Sequence, residues 1–217
     1  MKIAVYGAGG FAREVAWLAG SCAGPWGPCE VVCFIDDDQS NWGSLLNEIP
    51  VMGLDAAKQQ FPEAGIIGGI GSPRARQITM EKAAEAGFSF ATLVHSRAEY
   101  SRFVAFGQGS VVCAGNILTT NITLGEHVQI NLDCTIGHDV IMGEFTTLAP
   151  GVHVSGWVHF GKRVYVGTGA VFINGTRESP LFVGDDAVVG AGACVTKSVE
   201  AATTVVGVPA SPIKRRK

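Results

Sequence analysis

Five histidines, His95, His127, His138, His153 and His159, are the side chains of this chain whose proton affinity best suits proton transfer near neutral pH. His138 lies between Gly137 and Asp139, and a carboxylate next to an imidazole can orient it as a general base. Neighbouring residues on a regular strand face opposite ways, so that cooperation requires a corner. A second chemical feature is GAGGFA at 7–12, where Gly7, Gly9, Gly10, Phe11 and Ala12 fall between a strand pattern and a helix pattern. Such a turn aims free N–H groups and a helix dipole at a phosphate. Asp36 and Asp37 close the next apolar run, where a carboxylate can accept hydrogen bonds from a ribose or a base. The third run ends in GIGSPRAR, which makes Gly71 and Arg74 candidate contacts. For Asp37 and Arg74 the alternative readings are a loop cap and a solvated charge.

Two kinds of element must position these groups. Over the first third, apolar runs at 2–6, 31–35, 66–70 and 90–94 alternate with helix patterns near 10–20 and 73–87, the βαβ rhythm of a parallel sheet. The stretches 20–30 and 37–50 read as irregular. After about residue 100 the helix pattern vanishes and a hexad repeat takes over: FGQGSV, VCAGNI, LTTNIT, LGEHVQ, INLDCT, IGHDVI and onward from Phe106. Each hexad opens with an apolar residue, and its fifth position is mostly small or β-branched, as a narrow interior demands. Glycine recurs at 107, 125, 143 and 161, every 18 residues, and at Gly184 once five extra residues, Glu178 to Phe182, are set aside. Three hexads per turn make a triangular coil, about five coils in all, each burying its inward row only against its neighbours.

The 29 glycines set against 16% charged residues agree with a turn-rich solenoid, since glycine collects where a chain turns often. A formal charge of -3 gives no basic field for nucleic acid, and the one basic run, Lys214 to Lys217, reads as a solvated tail or an aid to a cofactor phosphate. Residues 1–20 lack the sustained apolar core of a signal peptide, and no apolar stretch reaches the roughly 20 residues of a membrane span, so a cytoplasmic protein is expected. Of its six cysteines, Cys22, Cys29 and Cys33 lack metal spacing with any nearby histidine and Cys113, Cys134 and Cys194 are scattered through the second half; all six read as reduced thiols, with no metal expected.

Residues 100–210 resemble the hexapeptide-repeat acyltransferases, and GAGGFAREV at 7–15 together with IGHD at 136–139 is similar to the sugar-acetylating branch that contains bacillosamine, perosamine and sialic acid acetyltransferases. The resemblance covers nearly the whole chain. It implies an α/β Rossmann-like domain at 1–97 that binds a nucleotide-linked amino sugar, followed by an all-β left-handed parallel β-helix at 98–217 that assembles as a homotrimer with sites between subunits. It implies acetyl-coenzyme A as co-substrate and His138 as general base in a direct ternary complex. Asp139 then orients the base, and Asn131 matches a family asparagine near the acetyl group, with an internal asparagine ladder as its alternative. The Gly156 N–H is the expected oxyanion donor, and coenzyme A is expected to run past Gly161, Gly167 and Thr168 toward Lys197. Where the family often has a cofactor-touching histidine, this chain has Thr147. His153 is a partial substitute or an outward polar residue, His127 and His159 read as surface positions, and His95 as a linker. Transfer to a sialic acid hydroxyl is the near alternative to N-acetylation, because one base serves both. A non-catalytic NAD- or sugar-binding trimeric scaffold is the alternative of another kind.

Overall fold

In the computed structural model the described residues are 1–22, 25 and 27–213; the basic run Lys214 to Lys217 lies outside them, as do Ala23, Gly24 and Trp26. The chain divides into two compact units, Met1–Ser96 and Arg97–Lys217.

In the first unit, β1 (Lys2–Tyr6) is followed by α1 (Gly10–Ala19), β2 (Glu30–Ile35), β3 (Leu45–Leu46), β4 (Ile49–Met52), α2 (Leu54–Gln60), β5 (Gly65–Gly68) and α3 (Pro73–Glu85). The sheet order is β3-β4-β2-β1-β5, parallel except for the β3–β4 hairpin. β1 lies inside the sheet between β2 and β5 and is buried on both faces, which is why Ile3, Ala4 and Val5 run without alternation and none is exposed. α1 turns Ala12, Val15, Leu18 and Ala19 inward at helical spacing. The stretch expected to be irregular at 37–50 contains half of the hairpin. Its turn is Asn47–Glu48, both in the left-handed region with φ 45° and 68°, the two-residue geometry that suits strand twist. The last apolar run is shorter than expected: only Leu93–Val94 form a strand, with Phe90 in an isolated bridge to Ile66. His95, expected as a linker residue, is buried and lies 5.9 Å from the Trp17 ring.

The second unit is a parallel β-helix. Its first face stacks Glu99–Tyr100, Ile117–Leu118, Thr135–Ile136, His153–Val154, Val171–Phe172 and Cys194–Val195. The second face stacks Val104–Ala105, Ile122–Leu124, Ile141–Met142, Val158–Phe160 and Leu181–Val183. On the third face Val111–Val112, Gln129–Ile130, Thr147–Leu148, Tyr165–Val166, Val188–Val189 and Thr204–Val206 follow one another in parallel. Rungs pair at the 18-residue offset, as in Thr135↔His153 and Ile141↔His159. The hexad-opening residues line the core: Val112, Ile130, Ile136, Leu148 and Val166 are wholly buried. Full burial of a Val or Leu contributes about 1.5–3 kcal/mol, so this row carries much of the unit's stability. Gly125 recurs in register because coils touch there: a Cβ would stand 2.8 Å from the Glu144 nitrogen.

The five additional residues fall earlier than the hexad count suggests. Leu181–Val183 pairs in register with Val158–Phe160, so the excess lies in the loop 174–180. Apolar Leu181 and Val183 are inward residues of that strand, and Thr176 and Ser179 exchange backbone hydrogen bonds across the loop tip. No disulfide links the cysteines; burial pushes the Cys33 and Cys134 thiols up to about 11, which keeps them protonated.

Candidate functional site

At the corner between the first and second faces, strand Thr135–Ile136 ends at Gly137 and the chain turns through His138 and Asp139. Asp139 has φ +58°, a left-handed conformation that Asp tolerates better than most residues. The corner brings two sequence neighbours to one side, and His138 Nδ1 lies 2.8 Å from Asp139 Oδ2. A carboxylate accepts only, so Nδ1 carries the proton, and in the neutral ring it is Nε2 that presents a lone pair. The His138 side chain is 55% exposed against 26% for Asp139, so the reactive edge meets solvent while its partner is held.

The neighbouring coils complete this corner. Asn121 Nδ2 donates to Asp139 Oδ1 at 3.3 Å. One coil later a Cβ on Gly156 would stand 2.5 Å from His138 Cε1 and 2.6 Å from Nε2, so the ring rests on bare backbone. Trp157 meets the imidazole edge-on with centroids 6.5 Å apart, and the Trp157 backbone N–H donates to the His138 carbonyl. The Gly156 N–H donates no hydrogen bond among the described residues. An imidazole with a fixed tautomer beside an unengaged amide can take a proton and receive an oxyanion. Asn121 and Trp157 were not singled out from the sequence, although each stands 18 residues from Asp139 and the repeat itself predicts the contact.

The remaining expected residues of this unit are dispersed. Lys197 lies on the same corner line as His138, beside a cavity of about 410 Å³ at the end of the coil stack. Asn131, Gly167 and Thr168 lie on the corner line between the third and first faces, at the other end of the face from His138. Asn131 turns its Oδ1 to the Leu132 N–H; the asparagine that runs inside the coil is Asn116, bonded to the Cys113 and Asn131 carbonyls and the Cys134 N–H. Thr147 is buried on the third face between Gln129 and Tyr165. Gly161 sits on the corner between the second and third faces, where a Cβ would collide with Asp185. His153 shares a hydrogen bond of 2.8 Å with the Thr135 hydroxyl on the exposed first face. His159 stacks edge-on with Phe182, and His127, expected at the surface, is buried flat against Phe145 on one coil and over bare Gly109 on the other.

In the first unit, α1 begins at Gly10 with no side-chain cap and no acidic residue in its first turn, so the amides at Gly10, Phe11 and Ala12 remain open to an anion. A Cβ on Gly9 or Gly71 would meet nothing within 4 Å and neither has a left-handed φ, so nothing in the chain itself requires glycine there. Arg74 is exposed, while Arg76 is wholly buried and donates from Nη1 to the Ile70 and Gly71 carbonyls at 2.8 and 3.3 Å. Burial pulls its pKa down to about 9, and the loop carrying Gly71 is held by that guanidinium. Asp36 spends its carboxylate on its own loop, accepting from the Asp38 N–H and from Asn41 Nδ2. Asp37 accepts from the Tyr6 hydroxyl at 2.7 Å and pairs with Lys82; burial alone would raise its pKa, and the bonds from Lys82 and Tyr6 outweigh that and lower it. These groups line a cavity of about 710 Å³ with Trp42, whose ring fills the space a Gly53 side chain would need. Tyr6, Lys82 and Arg76 carried no sequence signal beyond the strand and helix patterns that contain them, and Trp42 falls in the stretch 37–50 that reads as irregular. Among the described residues no cluster of three or more His, Cys, Asp or Glu side chains is arranged to hold a metal, and no helix is long and apolar enough to cross a membrane.

A parallel β-helix that carries an oriented imidazole at one corner, preceded by an α/β unit with an uncapped glycine turn, defines an acyltransferase frame. The model of a family described as the PglD N-terminal domain matches residues 2–83. The chain is 29% identical over 213 residues to GDP-perosamine N-acetyltransferase of Escherichia coli O157:H7, covering 97% of this chain and 96% of that protein. WeeI from Acinetobacter baumannii AYE superposes with a TM-score of 0.89 at 33% identity, covering 98% of this chain and all of that one. The acetyltransferase domain of PglB from Neisseria gonorrhoeae FA1090, solved in complex with acetyl coenzyme A, superposes at 0.85 with 34% identity and 98% of both chains covered. The chain belongs to the hexapeptide-repeat sugar acetyltransferase family. It is therefore an enzyme, an acyltransferase built from a Rossmann-like unit and a left-handed parallel β-helix, and the non-catalytic scaffold is set aside.

Proposed function

We propose that this enzyme transfers the acetyl group of acetyl-coenzyme A to the amino group of a nucleotide-linked sugar, with His138 as general base. The observation that carries the reading is the His138–Asp139 hydrogen bond at a corner where the ring rests on Gly156. The sugar nitrogen attacks the thioester carbonyl while His138 Nε2 takes its proton. The Gly156 N–H donates to the oxyanion, the C–S bond breaks, and the proton passes from Nε2 to the departing thiolate, with no acyl-enzyme formed. The nucleotide is assigned to the first unit: its diphosphate to the turn at Gly9, the open amides of Gly10 and Phe11, and Gly71, and its ribose or base to the side of Asp36 and Asp37. Arg74, exposed on α3, is assigned as a further phosphate contact. That the relatives include a protein named for GDP-perosamine and one solved with acetyl coenzyme A supports both substrate assignments.

Asn131, Thr147, Gly161, Gly167 and Thr168 stand on other corners and faces of one chain than His138 does, so a site that uses them together draws on more than one copy. This favours a homotrimer with coenzyme A in the grooves between subunits and its phosphates toward Lys197. We assign the reaction to the cytoplasm, where acetyl-coenzyme A is available, with neither nucleic acid nor membrane as partner.

The test is release of free thiol from acetyl-coenzyme A against UDP-, GDP- and dTDP-linked amino sugars, with free sialic acid alongside. Turnover with one nucleotide amino sugar, abolished in His138→Ala while coenzyme A still binds, is expected. Activity confined to sialic acid moves the acceptor to a hydroxyl, and undiminished turnover in His138→Ala removes the base.

A further inference from the structure

The His138–Asp139 pair uses one carboxylate oxygen, and the other is met from the preceding coil. Asn121 and Asp139 occupy equivalent corners 18 residues apart, both left-handed with φ 54° and 58°, and the Asn121 amide reaches Asp139 Oδ1 at 3.3 Å. The backbone ties the same two corners, since the Asp139 N–H donates to the Thr120 carbonyl at 3.1 Å. Asp139 thus receives one hydrogen bond on each oxygen, from a neutral amide on one side and an imidazole on the other.

We infer that Asn121 is a positioning residue for the transfer reaction, fixing the plane of the Asp139 carboxylate so that it holds the Nδ1–H tautomer of His138. The inference rests on the reading of His138 as general base. A partly buried aspartate held at one oxygen can still rotate about its terminal bond, and each rotation lets the imidazole turn away from the line of attack. The second bond removes that freedom. An amide suits the task because it donates without adding charge: a carboxylate in its place would favour the imidazolium, the form that cannot act as base. Among the described residues the trio makes no ion pair or hydrogen bond with any other charged side chain, so the charge next to the base is set by Asp139 alone.

Asn121→Gly removes the amide and keeps the left-handed corner free of strain. Asn121→Asp keeps the shape and adds a charge, in a conformation Asp accepts. The expected result for Asn121→Gly is a fall in kcat of about three- to tenfold, the worth of one hydrogen bond, with KM for both substrates unchanged. For Asn121→Asp the acid limb of the kcat–pH profile moves to higher pH by about half a unit, as a nearby negative charge requires. A contact that only supported the fold would lower the melting temperature of Asn121→Gly and leave its kcat in place. Unchanged kcat in Asn121→Gly, or an unmoved acid limb in Asn121→Asp, with His138→Ala inactive, overturns the role of Asn121 and leaves the base standing. Full activity of His138→Ala overturns the base, and the role of Asn121 with it.

Discussion

Gly156→Ala is the sharpest perturbation of the proposed chemistry, because the structure sets its size in advance. The added methyl would stand 2.5 Å from His138 Cε1 and 2.6 Å from Nε2, where ordinary contact begins at 3.4 Å. The ring must therefore retreat by about 0.9 Å, the difference between 2.5 and 3.4 Å. The backbone at Gly156 is outside the left-handed region, so alanine adds no dihedral strain and the displacement falls on the imidazole. The Nδ1 to Asp139 bond starts at 2.8 Å, and a shift of that size stretches or misaligns it beyond useful geometry. A misplacement of about 1 Å at a reacting group costs on the order of 100-fold, equivalent to about 2.7 kcal/mol in the barrier. Thiol-release kinetics should show kcat down by about that factor, with KM for acetyl-coenzyme A held within about twofold and the melting temperature nearly unchanged, since the ring is half-exposed. Wild-type kcat in Gly156→Ala would refute the geometry of the dyad as the seat of the base.

Two further outcomes test the first unit. Arg76→Ala removes a buried guanidinium and leaves the Ile70 and Gly71 carbonyls without it, which at about 3 kcal/mol lowers the melting temperature by roughly 6–12 °C in a scanning calorimeter. Asp37 has a folded pKa below its unfolded value, so its contribution is present above about pH 4 and is lost as pH falls through the lower folded value. Asp37→Asn should therefore melt below the wild type at pH 7, and the gap should close in melts run progressively below pH 4.

The solenoid was legible because its physics is periodic. Inward rows such as Ile130, Ile136 and Met142 must be apolar at every sixth position, and Gly125 must be small where coils touch, so the residue types print the architecture. His138 and Asp139 were legible as types, and what decided their cooperation, the left-handed corner, follows from the hexad register. The β3–β4 hairpin was not legible, because Asn47–Glu48 adopts positive φ without glycine, the usual marker. The five-residue excess was set too late in the chain, since Phe182 matches an outward strand position as readily as a loop. His127 reads as a surface position because its burial depends on the coils on either side, where Phe145 stacks on the ring and bare Gly109 makes room for it. In the first unit, Arg76 looked like any helix charge until Gly68 opened room for its stem.

The left-handed turn that joins His138 to Asp139 is not private to them. Asn121, His127, Asp133, Phe145, Trp157, Arg163 and Asp186 adopt it too, each at its own corner. The coil therefore works as a rack of interchangeable sockets, each able to hold adjacent side chains abreast. A histidine and an acid could be installed at another corner without redesigning the backbone, displaced along the axis by about 4.8 Å for every coil crossed. Chemistry on such a frame is addressed by socket number, so a shift of 18 residues moves a reactive pair without bending anything. What fixes the present address is the company at its own corner: an amide on one coil, a bare glycine on the next, and an indole at the edge of the ring.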